Sequence, residues 1–324
     1  MTSTPKLPTV SLVIPTYNRA DFIGETLKSA VSQVPPFNEI IVIDDGSIDD
    51  TSAIVGQIDF PIKYHRVENG GVQQARNIGA ELATSEWLVF CDSDDLLDIQ
   101  YMAKVLTYLA KMPPIDVAYV NFRNFSDQGQ RPDKLSLCPF DYLEGSKNEQ
   151  GVATEIPQLL IRNFNFQPFF FSGVAVSKNF YFKLNGFDQT LRGVGAEDWD
   201  FTLRAIAFGR IAMFKDVLAY VRRHDRNDSS DSLKMLKGEI EIIRKFKNQF
   251  PLRGRELKAC QISLDARSAG VANAAFSRMN FEDVKLYTTL GSLRKGGLIL
   301  LTKYFVACSP SWLRIHIWSW CQRV

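Results

Sequence analysis

Apolar runs alternate with amphipathic stretches from the start of the chain. Val10–Ile14 is a short run rich in β-branched residues and closed by Pro15, which predicts a buried strand. Ile23, Leu27, Ala30, Val31 and Val34 then recur at helical spacing until Pro35-Pro36 stops them. Further strands are predicted over Ile40–Ile43, Ile62–Val67, Trp87–Cys91 and Val117–Phe122. Between them, Asp49, Asp50 and Thr51 are good helix openers. Helical faces follow through Val72, Ala75, Gly79 and Leu82, and through Met102, Val105, Leu106 and Leu109. Each strand reads as a continuous apolar run, the mark of a strand covered on both faces. The fold class is therefore α/β, a Rossmann-like, mostly parallel sheet flanked by helices.

The pattern weakens over residues 123–153, which are polar and proline-bearing and predict a loop or lid. Phe169–Val176 predicts another strand, Glu197–Phe208 a helix, and Ile211–Val221 a closing strand. A polar stretch over Asp225–Ser232 suggests a boundary, dividing the chain into an α/β domain over 1–225 and a helical region over 226–324.

Composition narrows the classes. Of 324 residues, 45% are hydrophobic and 23% charged, which suits a folded domain with a sizeable core. A formal charge of +2 gives no argument for a nucleic-acid partner. The five cysteines are odd in number and widely spaced, which fits reduced thiols in the cytoplasm. No leader-like segment opens the chain, and no run approaches the ~18 apolar residues of a membrane span.

Ligands of open α/β sheets bind beyond the carboxyl ends of the strands. Pro15–Asn18, Asp44–Ser47 and Asp92–Asp95 all fall there. Asp92-Ser93-Asp94 is open to two readings, a helix cap or a divalent cation site against a diphosphate. A calcium loop is excluded, because its sixth position is Leu97 and its twelfth Ala103. Asp44-Asp45-Gly46 reads either as a turn or as an acceptor for a nucleobase N–H. Asn69-Gly70-Gly71 with Arg76 reads as a close backbone approach and a phosphate partner, or as a helix entry and a solvated arginine. Glu197 and Asp198 open a helix, where they are either dipole-favoured caps or a general base with a hydroxyl-orienting neighbour. Trp199 is either a sugar platform or core. His224, after Arg222 and Arg223, is either a solvated loop residue or an imidazole beside a metal, with an arginine near the phosphates.

Six segments together resemble the family 2 glycosyltransferases of the GT-A fold. They are SLVIPTYNR at 11–19, IVIDDGSIDDT at 41–51, GGVQQARN at 70–77, WLVFCDSDD at 87–95, GAEDWD at 195–200 and YVRRH at 220–224. The resemblance implies a nucleotide-diphosphate-sugar donor, usually UDP-linked, and a divalent cation, manganese or magnesium. By position it implies that Pro15, Tyr17 and Asp45 hold the base and that Asn69 and Arg76 serve the nucleotide. Asp92, Ser93 and Asp94 correspond to the family's Asp-x-Asp, with Asp94 and His224 toward the metal and Asp95 as an optional further ligand. Asp198, with Glu197 beside it, corresponds to the catalytic base of an inverting single displacement. The implied acceptor is a hydroxyl of a glycan or lipid-linked sugar, as in envelope or exopolysaccharide synthesis.

After Asp283 there is no acidic residue, while six basic ones remain among Trp312, Trp318 and Trp320. This tail suits either an anionic membrane interface or a helical appendage packed on protein. The expected location is the cytoplasm, with contact at the inner face of the membrane under the first option. Two rivals stand beside the transferase reading. A sugar-nucleotide nucleotidyltransferase lacks its Gly-rich basic loop at Pro15–Ala20, and a non-catalytic binding protein sits poorly with an intact Asp94 and Asp198.

Overall fold

The computed structural model describes residues 7–111, 115–139, 142–224, 231–290, 297–310, 313–314 and 318. The first third holds β1 (Val10–Thr16), α1 (Ile23–Val31), β2 (Glu39–Asp44), α2 (Thr51–Gly56), β3 (Ile62–Arg66), α3 (Val72–Leu82), β4 (Trp87–Phe90), β5 (Leu96–Leu97) and α4 (Tyr101–Lys111). There follow β6 (Val117–Ser126), β7 (Gly129–Asp133), β8 (Lys147–Glu149), β9 (Val152–Thr154), α5 (Leu159–Asn165), β10 (Val174–Ser177), α6 (Lys178–Lys183), α7 (Glu197–Phe208) and β11 (Ile211–Arg222). Four helices complete the chain: α8 (Ser232–Gln249), α9 (Gly254–Ser277), α10 (Phe281–Leu290) and α11 (Gly297–Cys308).

One sheet runs in the order β3-β2-β1-β4-β10-β6-β11-β9-β8, with β5 on β11 and β7 on β6. The strands β3, β2, β1 and β4 are mutually parallel, as are β6 and β11. β10 is wedged antiparallel between β4 and β6, so β1, β2, β3, β4, β6 and β11 all run one way. Their carboxyl ends form a common rim, where Thr16 lies beside Asp44 and Asp44 beside Arg66.

The continuous apolar runs have a direct cause. Successive side chains of a strand point to opposite faces, and here both faces are covered. Leu12, Ile14, Ile40 and Val42 pack with Leu27, Met102 and Val105 from α1 and α4. Val13, Ile41 and Ile43 pack on the other face with Ala75, Ala80, Phe201 and Ala205 from α3 and α7. At Gly79 an added Cβ would come within 2.3 Å of Val13 Cγ1, so α3 lies flush against β1.

Two expectations need correction. Residues 123–153 are not wholly the loop or lid expected: among those described, β7 folds back on β6 and the β8–β9 hairpin joins β11, so these parts widen the sheet, with turns and irregular chain between them. β7 and β8 are almost wholly exposed, and such edge strands need no apolar run to reveal them. The strand expected over Phe169–Val176 begins only at Val174, although Phe169 and Phe171 are buried as irregular chain.

The chain divides into two compact units, residues 1–193 with 200–227 and residues 194–199 with 228–324. The boundary expected at 225–226 leaves out the short segment 194–199. Within the second unit that segment lies on α8, where a Cβ at Gly238 would come within 2.3 Å of the Gly195 carbonyl oxygen. Arg267 of α9 bonds Glu239 of α8 at 2.6 Å, and Phe276, Val284 and Val306 join α9, α10 and α11 in a small core. Among the described residues no helix is long and apolar enough to cross a membrane.

Candidate active site

The rim of the first unit is built by three stitched loops. Asn18 donates its N–H to Ser47 Oγ at 2.9 Å and accepts from Ile48 N at 2.8 Å, while Arg19 N donates to Thr51 Oγ1 at 3.0 Å. Asn18 takes a left-handed conformation, which asparagine tolerates, and this turns the chain beyond β1. Asp45 is buried, and its two carboxylate oxygens accept Gly70 N at 2.7 Å and Gly71 N at 2.8 Å. Asn69 Nδ2 donates to the Asp45 carbonyl at 2.9 Å, and the Asn69 side-chain oxygen accepts from Arg192. Gly71 has φ 92°, so the backbone demands glycine, and a Cβ there would lie 3.1 Å from the flexible Arg192 side chain. Asp45 thus braces the Gly70-Gly71 turn, each oxygen keeping a second lone pair. Tyr17 presents an exposed ring, whereas Pro15 is buried in β1 opposite Ile43 and shows no ring face to a ligand.

The four residues Asp92–Asp95, beyond β4, have separate duties. Asp92 Oδ1 accepts from Arg76 at 2.6 Å, and its N–H donates to Ser172 Oγ at 3.0 Å. The Arg76 guanidinium lies 5.0 Å from the Phe171 ring centre and 4.9 Å from that of Phe187. A solvated arginine is therefore excluded: Arg76 is buried and bolts α3 to the acidic loop. Ser93 is buried and its carbonyl accepts from Thr26 Oγ1 at 3.0 Å. Asp94 Oδ2 lies 3.2 Å from Arg19 Nε and 3.1 Å from His224 Nε2.

Asp95, the optional further ligand, is engaged by its neighbours. Its Oδ2 accepts from Ser172 Oγ at 2.5 Å and its Oδ1 from Arg222 N at 2.9 Å, inside the protein. Burial, reinforced by the charges of Asp94 and Asp92, pushes its carboxyl well above the ordinary range. Burial likewise raises the thiol of Cys91, which rules it out as a nucleophile.

His224 follows the end of β11 and stacks on Phe22, ring centres 4.5 Å apart at 17°. Arg222 lies over the same Phe22 ring at 5.3 Å and over Phe125 at 4.6 Å, donates to the Asp94 carbonyl at 3.0 Å and pairs with Glu25. Arg223 bonds Asn124 Oδ1 at 2.9 Å. Arg222 is accordingly a brace for Asp94, and the solvated-loop reading of His224 does not hold.

Among the described residues no three His, Cys, Asp or Glu side chains are grouped to hold a metal ion. Asp94 and His224 make a two-residue donor set, a carboxylate oxygen and an imidazole nitrogen 3.1 Å apart. Such a set fits a hard cation that takes the rest of its shell from substrate phosphates and water. Glu197 and Asp198 open α7, belong to the second unit and are partly buried. Trp199 is no sugar platform: it is 2% exposed, with the Arg267 guanidinium 4.7 Å over its ring.

Comparison with known proteins decides the family. The model of the family described as "Glycosyl transferase family 2" matches residues 11–172, half of the chain. The chain belongs to glycosyl transferase family 2. A Haemophilus influenzae protein named as an uncharacterized glycosyltransferase is 27% identical over 225 residues, 68% of this chain and 70% of that one. A validoxylamine A glucosyltransferase of Streptomyces hygroscopicus is 27% identical over 268 residues, 77% of this chain and 64% of that one. The chain thus spans about two-thirds of the length of these relatives. The crystal structure of S. aureus TarS 1–349 in complex with UDP-GlcNAc superposes with a TM-score of 0.63 at 19% identity, covering 92% of this chain and 90% of that one. The fold of this glycosyltransferase is accordingly the GT-A fold.

Sequence reasoning assigned no role to Arg19, Phe22, Glu25, Thr26, Phe125 or Ser172. Arg19 at least closes the first quoted motif. Ser172 and Phe22 carry no local signal, because their importance comes from partners 77 or more residues away.

Proposed function

We propose that this family 2 glycosyltransferase moves a sugar from a nucleotide-diphosphate donor, UDP-linked, onto a hydroxyl of a glycan or lipid-linked acceptor, with inversion at the anomeric carbon. The observation that carries the reading is the meeting of Asp94 Oδ2 and His224 Nε2 on the same carboxyl-end rim that carries the Asp45–Gly70–Gly71 turn. A diphosphate beside Asp94 has a cation site within reach, and a base has the exposed Tyr17 ring and the remaining lone pairs of Asp45. That the neighbour of similar fold was crystallised with UDP-GlcNAc supports a UDP-sugar as the first donor to try.

Asp94 and His224 would hold a manganese or magnesium ion, which when bound supplies charge stabilisation to the departing diphosphate. Asp92, fixed by Arg76, stands toward the ribose. Asp198 takes the proton of the acceptor hydroxyl as that oxygen bonds to the anomeric carbon. The bond to the donor phosphate oxygen breaks, and its electron pair leaves with the nucleoside diphosphate. Glu197, adjacent on the helix and pointing elsewhere, orients the acceptor.

α11 supports an anionic lipid surface as the setting. Leu298 and Phe305, two turns apart on one face, are 81% and 68% exposed, and Ile299 is 72% exposed. Six of the 38 basic and none of the 36 acidic side chains fall in the last 41 residues, which complements acidic headgroups. Trp318 is not part of that contact, since its Nε1 donates to the Phe276 carbonyl at 2.8 Å; Trp312 and Trp320 lie outside the described residues.

Isothermal titration of UDP and a panel of UDP-sugars, with and without manganese, tests the donor site. Metal-enhanced UDP binding is expected; the absence of any nucleotide binding overturns the reading. Proton NMR of the first product formed should show the anomeric configuration opposite to that of the donor. Co-sedimentation with phosphatidylglycerol vesicles, lost in a Leu298→Glu/Phe305→Glu variant, tests the lipid surface. A dimer abolished by the same variant would assign that face to a second copy instead.

A further inference from the structure

Arg19 is built into the site with unusual care. Its backbone N–H is held by Thr51 Oγ1 at 3.0 Å, and the next N–H, of Ala20, by Asp49 Oδ2 at 3.0 Å. Its guanidinium reaches back to the carbonyls of Tyr17 at 3.4 Å and Asn18 at 3.3 Å through one terminal nitrogen. The Nε edge faces Asp94 Oδ2 at 3.2 Å. The same oxygen lies 3.1 Å from His224 Nε2, so a permanent positive charge and an imidazole converge on one carboxylate atom. Both partners are largely shielded, the Arg19 side chain 22% and the Asp94 side chain 11% exposed, and in such a site charges are screened weakly.

That arrangement has an electrostatic consequence. A divalent cation at Asp94 and His224 would face the guanidinium across a single oxygen, and two like charges so placed repel. An incoming diphosphate changes the balance, because it offers the guanidinium a better partner than one shared carboxylate oxygen: paired phosphate oxygens for its planar fork. We propose that Arg19 is a gate on the metal site: it occupies Asp94 in the free protein and turns to the diphosphate when the nucleotide binds, so that the cation is admitted together with the nucleotide and poorly before it. This rests on the nucleotide-diphosphate reading above and adds an order of assembly to it. The long, hinged arginine side chain makes the turn feasible, since only the guanidinium has to swing while the backbone stays fixed by Thr51 and Asp49.

The test uses the full chain and the Mn²⁺ ion itself. Free Mn²⁺ is followed by electron paramagnetic resonance with and without UDP, in the wild type, Arg19→Ala and Arg19→Gln. Arg19→Gln keeps a long polar side chain without the charge, and thermal melting by circular dichroism confirms that each variant is folded. The wild type is expected to bind Mn²⁺ at least tenfold more weakly without UDP than with it. Both variants should bind Mn²⁺ in the absence of UDP severalfold more tightly than the wild type, and UDP in the presence of EDTA severalfold more weakly. Unchanged or weaker Mn²⁺ binding by both variants, with UDP–Mn²⁺ binding intact, overturns the gate while leaving the nucleotide site standing. No UDP binding by the wild type under any condition overturns both.

Discussion

The two ends of the same central strands use carboxylates in opposite ways. At the amino end of β2, Glu39 accepts from Ser11 Oγ, from Lys63 Nζ, and from Thr84 N at 2.6 Å and Thr84 Oγ1 at 2.9 Å. Burial alone would raise its carboxyl, but the bonds from Lys63, Ser11 and Thr84 outweigh it and hold the pKa at about 2. At the carboxyl end, Asp94 shares one oxygen between Arg19 and His224, both of them groups that a diphosphate and a cation can draw away. A carboxylate surrounded by fixed short-range donors stabilises the fold. One held by exchangeable cationic partners is poised for a ligand. The contrast lies in what the partners can do next, since both groups are buried.

Variants at the two ends should therefore fail in different assays. The largest expected effect is on turnover: Asp198→Asn should lower kcat by roughly 10²–10⁴-fold, the usual worth of a general base. UDP and manganese titrations should be nearly unchanged in that variant, and lost nucleotide binding would show that Asp198 does something else. Next comes Asp94→Ala, which removes the proposed direct ligand. Manganese-dependent UDP affinity should fall by more than the roughly 10–100-fold typical of losing an outer-shell partner; calorimetric curves matching the wild type would misplace the cation. Ser172→Ala sits between the classes, because it takes one partner from Asp92 N and one from Asp95 Oδ2. It should cost roughly 1–3 kcal/mol in chemical denaturation and also weaken UDP–manganese binding.

At the amino end, Glu39→Gln should cost about 1–3 kcal/mol of stability and leave kcat/KM unaltered below the melting transition. Any loss of activity in a folded Glu39→Gln protein would break the division between the two ends. The pH dependence sharpens it further. Glu39 has a folded pKa of about 2, depressed from an ordinary 4.5. Its contribution is fully present above the unfolded value and is lost as pH falls from about 4.5 toward 2. The wild type should lose stability over that window faster than Glu39→Gln, as measured by denaturant melts at successive pH values.

The alternation of apolar runs was enough to place β1, β2, β4, β6 and β11 near their observed limits, because the part of a strand that is covered on both faces must be apolar; β3, at the sheet's edge, has the sequence IKYHR and no buried residue, and is not such a run. The carboxyl-end loops were legible for the same reason: once the strands are located, their ends are too. Edge strands β7 and β8 were not, since water tolerates polar side chains on them and no periodicity marks them; β9, buried between β11 and β8, is only three residues long and too short to show a pattern. Nor did the pattern reveal the antiparallel insertion of β10, because strand direction leaves no trace in composition.

By itself the sequence determined the α/β class, the carboxyl-end rim and the acidic and basic residues that gather there, since burial and turn chemistry are local demands written residue by residue. Only the tertiary structure decided which of those residues are spent on one another. Arg76 is committed to Asp92, Asp95 to Ser172 and Arg222, and Trp199 to the interior beside Arg267, while Asp94 is left with partners that a substrate can replace. The reason is that a hydrogen bond or ion pair spanning 77 or 130 residues is fixed by how elements pack, and no window along the chain contains both of its ends.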